Sequence, residues 1–468
     1  MPAHIIMGLY LENDTSFISS PVSSRVKCGM TSSYMMQSMA KLQVGIYVGV
    51  IFITLFVVLI FLGVIPGLQD KTFTSTVVVW GVYPEDALQA AFGAWRKEHS
   101  TISIEYVQKN PVNYRSQILE AIATGNAPDI VMLPDSLLGA MQNKLSTIPP
   151  LVMTEREYRE TFASITSIFL QNNQLYGIPF AIDPLVLYWN RDFFASESIA
   201  LPPAAWDEFL VDAQKLTKRT ETGNLTRSGA AMGLTTNIPG AVDIVSLLTI
   251  QGGISIIDPI THAVTLAQTR TTNQITTSPT ETTLRFYTDF ARREKTSYTW
   301  NHTFPKPDDA FVREDLFMFL GRASAYAALS QRAPHINIGV SPVPQYSGAP
   351  IKIGYGRVLA VAVPLLSEAQ ATAWRVAAFL ADAAQANVIA NNLWLAPARR
   401  DLLGASHSFP PFSVFYEEAL RARTWYDPDP ALSQPILTNM IESASAGRDV
   451  HAAVVEASTR LFDLVDIK

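Results

Sequence analysis

The sequence predicts an α/β protein carried behind one N-terminal membrane-spanning helix. Three observations predict it. Between Lys41 and Asp70 the chain has no charged residue, and its most apolar part, Val44 to Ile65, spans 22 residues. Beyond that stretch, from Thr76 to Leu133, strand-like and helix-like periods alternate in the order β-α-β-α-β. A composition of 48 % hydrophobic and 10 % aromatic residues can bury a large core and excludes a disordered chain.

The chain of 468 residues suggests two to three domains at roughly 100–200 residues each. Only 16 % of residues are charged, against about 25 % in ordinary soluble domains, and the apolar stretch explains part of the deficit. A net charge of −6 and a pI of 5.7 argue against nucleic-acid binding, which needs a surplus of Lys and Arg. The single cysteine, Cys28, excludes an internal disulfide framework and a Cys-rich metal site.

Val44–Ile65 is long enough, at about 1.5 Å per residue, to cover a hydrocarbon layer of roughly 30 Å. It exceeds the 7–15 apolar residues or so of a cleaved secretory signal, and Ile65-Pro66-Gly67 is a poor cleavage site. Cys28 precedes the run, where a lipoprotein needs its cysteine just after it. The reading is an uncleaved signal anchor: residues 1–41 a cytoplasmic tail, 42–69 the membrane span, and everything after Asp70 outside. Arg25, Lys27 and Lys41 before the span, against Lys71 closely after it, set that orientation at the cell membrane.

Thr76 to Trp80 is β-branched and apolar, as in a strand buried on both faces. Pro84, Glu85 and Asp86 suit a first helical turn, and Leu88, Ala91, Phe92 and Trp95 recur at helical spacing. Ile102, Ile104 and Tyr106 alternate as a second strand. Tyr114, Ile118 and Ile122 share one helix face that stops at Gly125, and Asp129 to Leu133 forms a third strand. This order implies a parallel sheet with right-handed crossovers. Ligands of such sheets sit beyond the carboxyl ends of the strands, which singles out Tyr83, Glu85, Pro134 and Asp135.

Catalytic signatures are scarce. The chain has no G-x-x-x-x-G-K-[ST], no H-E-x-x-H and no G-x-S-x-G. Its seven histidines are scattered without metal-ligand spacing, so no catalytic residue, metal or cofactor is expected. Asp308-Asp309 is an acid pair in a Pro-rich loop, where adjacent carboxylates are usually just solvated.

Five motifs, in order, carry a resemblance. Thr124-Gly-Asn-Ala-Pro-Asp129-Ile-Val resembles the A-x-G-x-x-P-D-[IV] element of family 1 extracellular solute-binding proteins, the maltose-binding-protein-like group that serves ATP-driven sugar importers. Tyr176-Gly-Ile-Pro179 through Tyr188-Trp-Asn190-Arg-Asp192-Phe is similar to that family's Y-G-I-P…Y-Y-N-[KR]-D-[LF] stretch, followed by Trp206-Asp-Glu-Phe209. Gln251-Gly-Gly253, Phe319-Leu-Gly321-Arg-Ala-Ser-Ala-Tyr326 and Asn392-Leu-Trp394-Leu-Ala-Pro397 come in the family's order. The resemblance covers about residues 72–468. It implies a two-lobed clamshell with crossovers near Ala181–Leu185, Ile353–Val358 and Asn387–Leu393. One lobe would combine 72–181 with 357–388, the other 186–353 with 393–468. A mono- or oligosaccharide would be captured by hinge closure and handed to an ABC permease with separate ATPase subunits. An anchored sensing or adhesion receptor, and an extracellular glycan-active enzyme, are the alternatives.

Sugar sites combine carboxylates or amides with flat aromatic platforms. The resemblance aligns Asp183 with an acidic position that contacts sugar in some relatives, although an Asp before Pro184 also suits a turn. Asp135 is favoured by its strand-end place, and Glu85 either reaches the cleft or complements its helix N-terminus. Tyr83, Trp300, Tyr355 and Trp394 are candidate stacking surfaces, while Trp80 and Trp95 are assigned to the core. Arg357 would bind an anionic or hydroxyl-rich ligand, or pair across the hinge.

Overall fold

The computed structural model describes residues 49–55, 75–272, 274–405 and 409–466. The predicted tail and most of the predicted span lie outside the described residues. Within that span, residues 49–55 are helical, with Val50, Ile51, Phe52, Ile53 and Leu55 exposed. Among the described residues no helix is long and apolar enough to cross a membrane.

A separate unit starts at Thr74. Its first strand, β1 (Ser75–Gly81), buries Val77 and Val79 and leads into helix α1 (Glu85–Glu98). Acidic Glu85 and Asp86 open that helix, and Arg96 and Lys97 close it, the order its dipole favours. Leu88, Ala91, Phe92 and Trp95 are buried, as their spacing predicts. Strand β2 (Ile102–Gln108), helix α2 (Tyr114–Ala123) and strand β3 (Ile130–Pro134) follow. Both outer strands pair with β1 in parallel, Tyr106 and Ile130 flanking Val79. Gly125 takes a φ of 75°, the left-handed conformation that ends α2. Trp80, expected in the core, is only partly buried, because it caps the sheet end with Lys109 Nζ 3.5 Å above its ring.

Further along, the sheet becomes mixed. Strand β4 (Ile178–Asn190) has thirteen residues, all buried. It is joined by β5 (Leu225–Ala230), β6 (Leu316–Arg322) and β7 (Gly354–Ala362). The order across the sheet is β2-β1-β3-β7-β4-β6-β5, closed by the short strand Lys218–Arg219. β7 runs antiparallel to both β3 and β4, with Arg357 opposite Asp183. β4 pairs with β7 as far as Pro184 and with β6 from Leu185 onward. A single strand therefore belongs to both halves of the sheet.

Several motif residues turn out to be structural ties. The Asp129 carboxylate accepts the Val78 N–H at 2.9 Å and the Ser367 hydroxyl at 2.7 Å. Asn190 caps the helix Arg191–Ser196 by accepting the N–H groups of Asp192 and Phe193. Two motifs meet directly: Trp206 Nε1 donates to Gln251 Oε1 at 2.7 Å, and Gln251 Nε2 donates to the carbonyls of Pro344 and Ile353.

Helix α3 (Ala241–Gln251) approaches β7 from one side, and helix α4 (Phe412–Arg421) packs on β4 and β7. α4 carries Glu418, fully buried, with Oε1 3.4 Å from Arg421 Nη1 and Oε2 without a hydrogen-bond partner. Burial pushes its carboxyl up from 4.5 to about 8, against the pull of Arg421. Between those values the folded chain keeps a proton that the unfolded chain has lost, so stability falls as pH rises through that window. Glu418→Gln is therefore expected to raise the denaturation midpoint at pH 9 and to leave it nearly unchanged at pH 5. An equal shift at both pH values would refute the titration.

Candidate ligand-binding site

Where β4, β6 and β7 meet α3, charge is concentrated. Asp243, in the first turn of α3, accepts Arg322 Nη2 at 2.5 Å and Arg357 Nη2 at 3.3 Å. Arg322 Nη1 also reaches the Asp183 main-chain oxygen at 3.4 Å. The Asp183 carboxylate accepts the Ser324 N–H at 3.1 Å and its hydroxyl at 2.7 Å. Asp135, just past the end of β3, accepts the Thr424 hydroxyl at 2.9 Å through Oδ2, while its buried Oδ1 has no partner. Asp427 accepts the Ser433 hydroxyl at 2.6 Å. Four carboxylates thus surround two guanidiniums, and both guanidiniums are engaged by one carboxylate, Asp243.

The electrostatics follow from that arrangement. Burial pushes Asp243 up, but Arg322 and Arg357 together outweigh it and hold its carboxyl below the usual range. Asp135 and Asp183 are raised by burial, which their Arg and hydroxyl neighbours only partly offset. Burial carries Asp427 to about 7. Among the described residues, no group of three or more His, Cys, Asp or Glu could hold a metal ion.

Two cavities flank the segment 424–428. The first is lined by Asp135, Tyr355, Arg357, Thr424, Trp425 and Asp427, and its volume of about 10 Å³ suits a single water or hydroxyl. Trp425 Nε1 is buried there without a partner, as is Asp135 Oδ1, so one unmet donor and one unmet acceptor line one small space. The second cavity, of about 580 Å³, is lined by Tyr426 and Pro428 from the other part of the segment.

Residues 81–387 match the profile of the bacterial extracellular solute-binding protein family. The chain belongs to that family. Its likeness to solved members of this group is one of fold: the cyclic α-maltosyl-1,6-maltose binding protein of Arthrobacter globiformis superposes with a TM-score of 0.70 at 14 % identity, over 84 % of this chain and 100 % of that one. UgpB from Mycobacterium tuberculosis, solved with glycerophosphocholine, gives 0.67 at 17 % identity, over 84 % and 99 %. This solute-binding protein therefore has the two-lobed α/β fold of periplasmic binding proteins. In sequence it is 27 % identical over 140 residues to an uncharacterized lipoprotein in the oleD 5′ region of Streptomyces antibioticus, which covers 28 % of this chain. The chain spans less than a third of the length of the curated relatives it matches.

In this solute-binding protein, five of the eight predicted site residues come together. Asp135, Asp183, Tyr355 and Arg357 belong to the charged cluster, and Tyr83 flanks Asp183, with its ring edge-on to Phe180 at 6.3 Å. Three do not join them. Glu85 is exposed in the first turn of α1, where it complements the helix dipole. Trp300 is fully buried, its Nε1 bonded to Asn237 Oδ1 at 3.0 Å and its ring stacked on Phe304 at 4.7 Å, so it is a core residue. Trp394 packs among aromatic rings, stacked on Phe412 with centroids 5.3 Å apart and tilted against Tyr326 at 5.1 Å. The residues missed were Asp243, Arg322, Ser324, Thr424, Trp425 and Asp427. A signal existed for two of them: Asp243 is the lone charge in a largely apolar helix, and Arg322 the lone charge in an apolar strand.

Proposed function

We propose that the chain is the substrate-binding subunit of an ATP-driven importer, tethered to the membrane through residues 42–69. The lobes are 72–181 with 357–388 and 186–353 with 393–468, and a carbohydrate is held between them without being chemically changed. The observation that carries this reading is the charged cluster at the crossing of β4 and β7, where an unmet carboxylate oxygen and an unmet indole N–H await one hydroxyl. Carboxylates in excess over free guanidiniums favour a neutral, hydroxyl-rich ligand over an anion. A related fold that takes a cyclic maltosyl sugar, and a lipoprotein among the relatives, are consistent with the ligand class and with tethering.

The test is equilibrium titration of the full-length chain with D-glucose, maltose and maltotriose. At least one is expected to bind saturably with no product formed. Asp135→Asn should then weaken it about tenfold or more, since a hydrogen bond to a charged group is worth roughly 1.5–3 kcal/mol. Failure of all three sugars on a well-folded sample would end the carbohydrate reading, and turnover would end the reading of a binding protein.

A further inference from the structure

In the motif Tyr188 to Asp192, Asn190 caps the helix that follows it, and the residues on either side, Trp189 and Arg191, line a cavity of about 460 Å³. That volume is of ligand size. Ala195, Ser198, Ile199 and Ala200 complete the lining, so every wall comes from residues 189–200. Trp189 lies six residues beyond Asp183 on β4, about 20 Å along the strand at roughly 3.3 Å each. The cavity is therefore apart from the charged cluster and within a single proposed lobe. Trp189 is 9 % exposed, and its Nε1 is buried without a hydrogen-bond partner. An orphaned buried donor calls for an acceptor. Gly339, opposite Trp189 in the strand Ile338–Ser341, makes room for the indole: a built Cβ would lie 2.3 Å from Cε2 and 2.5 Å from Nε1. Arg191 is exposed, its Cζ 5.5 Å from the centroid of the same ring, and it forms no ion pair among the described residues. The acids of this segment are engaged elsewhere. Asp192 Oδ1 accepts Asn337 Nδ2 at 3.3 Å, and Glu197 Oε1 accepts Lys218 Nζ at 2.6 Å. Neither lines the cavity.

We propose that this cavity binds a carboxylate that carries an apolar body. The two oxygens of a planar carboxylate match the guanidinium fork of Arg191 and the indole N–H of Trp189, and Ser198 adds an exposed hydroxyl. Ala195, Ile199, Ala200 and the indole ring offer apolar contact to the rest of the molecule. One cation and no carboxylate in the lining suit a single negative charge. The preference is opposite to that of the charged cluster around Asp243, where carboxylates predominate. Nothing in this assignment depends on what that cluster binds.

The experiment is calorimetric titration of the full-length chain with two carboxylates, indole-3-acetate as a free small acid and N-acetyl-leucine as the end of a peptide, and with indole-3-acetamide as the neutral counterpart. At least one carboxylate is expected to bind once per chain, and the tighter of the two names the source. Its Kd should rise tenfold or more in Arg191→Gln and threefold or more in Trp189→Phe, which keeps an aromatic ring and removes the N–H. Asp135→Asn should leave it within twofold. Arg191 is exposed, so its variant decides the matter even where Trp189→Phe folds poorly. Absence of saturable binding by both carboxylates would overturn the proposal. So would an amide that binds as tightly as indole-3-acetate, or carboxylate binding that is indifferent to Arg191→Gln.

Discussion

Replacing Asp243 with alanine is expected to lower the stability of the folded unit by about 3 kcal/mol, read from the midpoint of chemical denaturation. Its side chain is 13 % exposed, and those of Arg322 and Arg357 are 21 % and 26 % exposed. Truncation would leave two guanidiniums side by side without the carboxylate that both contact, and the residual exposure sets the effect at the low end of the range for a broken buried pair. Asp243→Asn should fall between, since the amide oxygen still accepts one hydrogen bond but carries no charge. Arg357→Met placed in the alanine background should recover part of the loss, because one of the two stranded charges is removed. The same pairing gives a pH sign. With its carboxyl held below the ordinary value of 3.8, Asp243 contributes stability above that value, and the contribution is lost as acid titrates it. A loss below about 1 kcal/mol for the alanine variant would show that the triad behaves as an ordinary surface pair.

The second large effect is expected at Gly139, and it is purely steric. A Cβ built there would lie 2.3 Å from the Asp427 carbonyl oxygen, 2.7 Å from that of Pro428 and 2.8 Å from Pro428 Cα. All three are backbone atoms, so no rotamer change relieves the contact. Either the helical turn Leu138–Met141 or the wall of both cavities has to move. Gly139→Ala should therefore destabilise by about 3 kcal/mol and weaken carbohydrate binding at the same time, because Asp427 shifts with the wall. Gly93 supplies the control. It lies inside α1 with nothing within 4 Å of a built Cβ, so Gly93→Ala should stabilise by roughly 0.5–1 kcal/mol through helix propensity. Equal effects from the two alanines would exclude the steric account.

The opening β-α-β-α-β unit was legible because each of its signals is local: β-branched runs, helical spacing and Gly125 report on their own neighbourhoods. The antiparallel entry of β7 beside β3 was not legible in the same way, since strand neighbours more than two hundred residues apart leave no local trace. The motifs behind the family resemblance mark mostly ties and caps, such as Asp129, Asn190 and Gln251, rather than ligand contacts. That is why the family was readable and the site only half so. Asp135 and Asp183 could be placed by strand ends and alignment. Thr424, Trp425 and Asp427 reach the same cavity from a segment some 290 residues beyond Asp135, and only the folded chain brings them there. For the tryptophans, side-chain type alone could not separate a platform from a core residue: Trp300 is fully buried, whereas Trp394 is partly buried among aromatic rings.

The thirteen residues of β4 extend for about 43 Å at roughly 3.3 Å each, and every one is buried. Mechanically, such a strand is a tie bar. Pulling it lengthwise would break ladder hydrogen bonds on two sides, with β7 up to Pro184 and with β6 beyond it. At the change of partners the Pro184 carbonyl accepts the Ala323 N–H at 2.9 Å, so the two ladders meet there without a gap. Asp183 stands at that junction, its main chain opposite Arg357 and its carboxylate bonded to Ser324, so load passed from one half of the sheet to the other crosses the strand beside this residue.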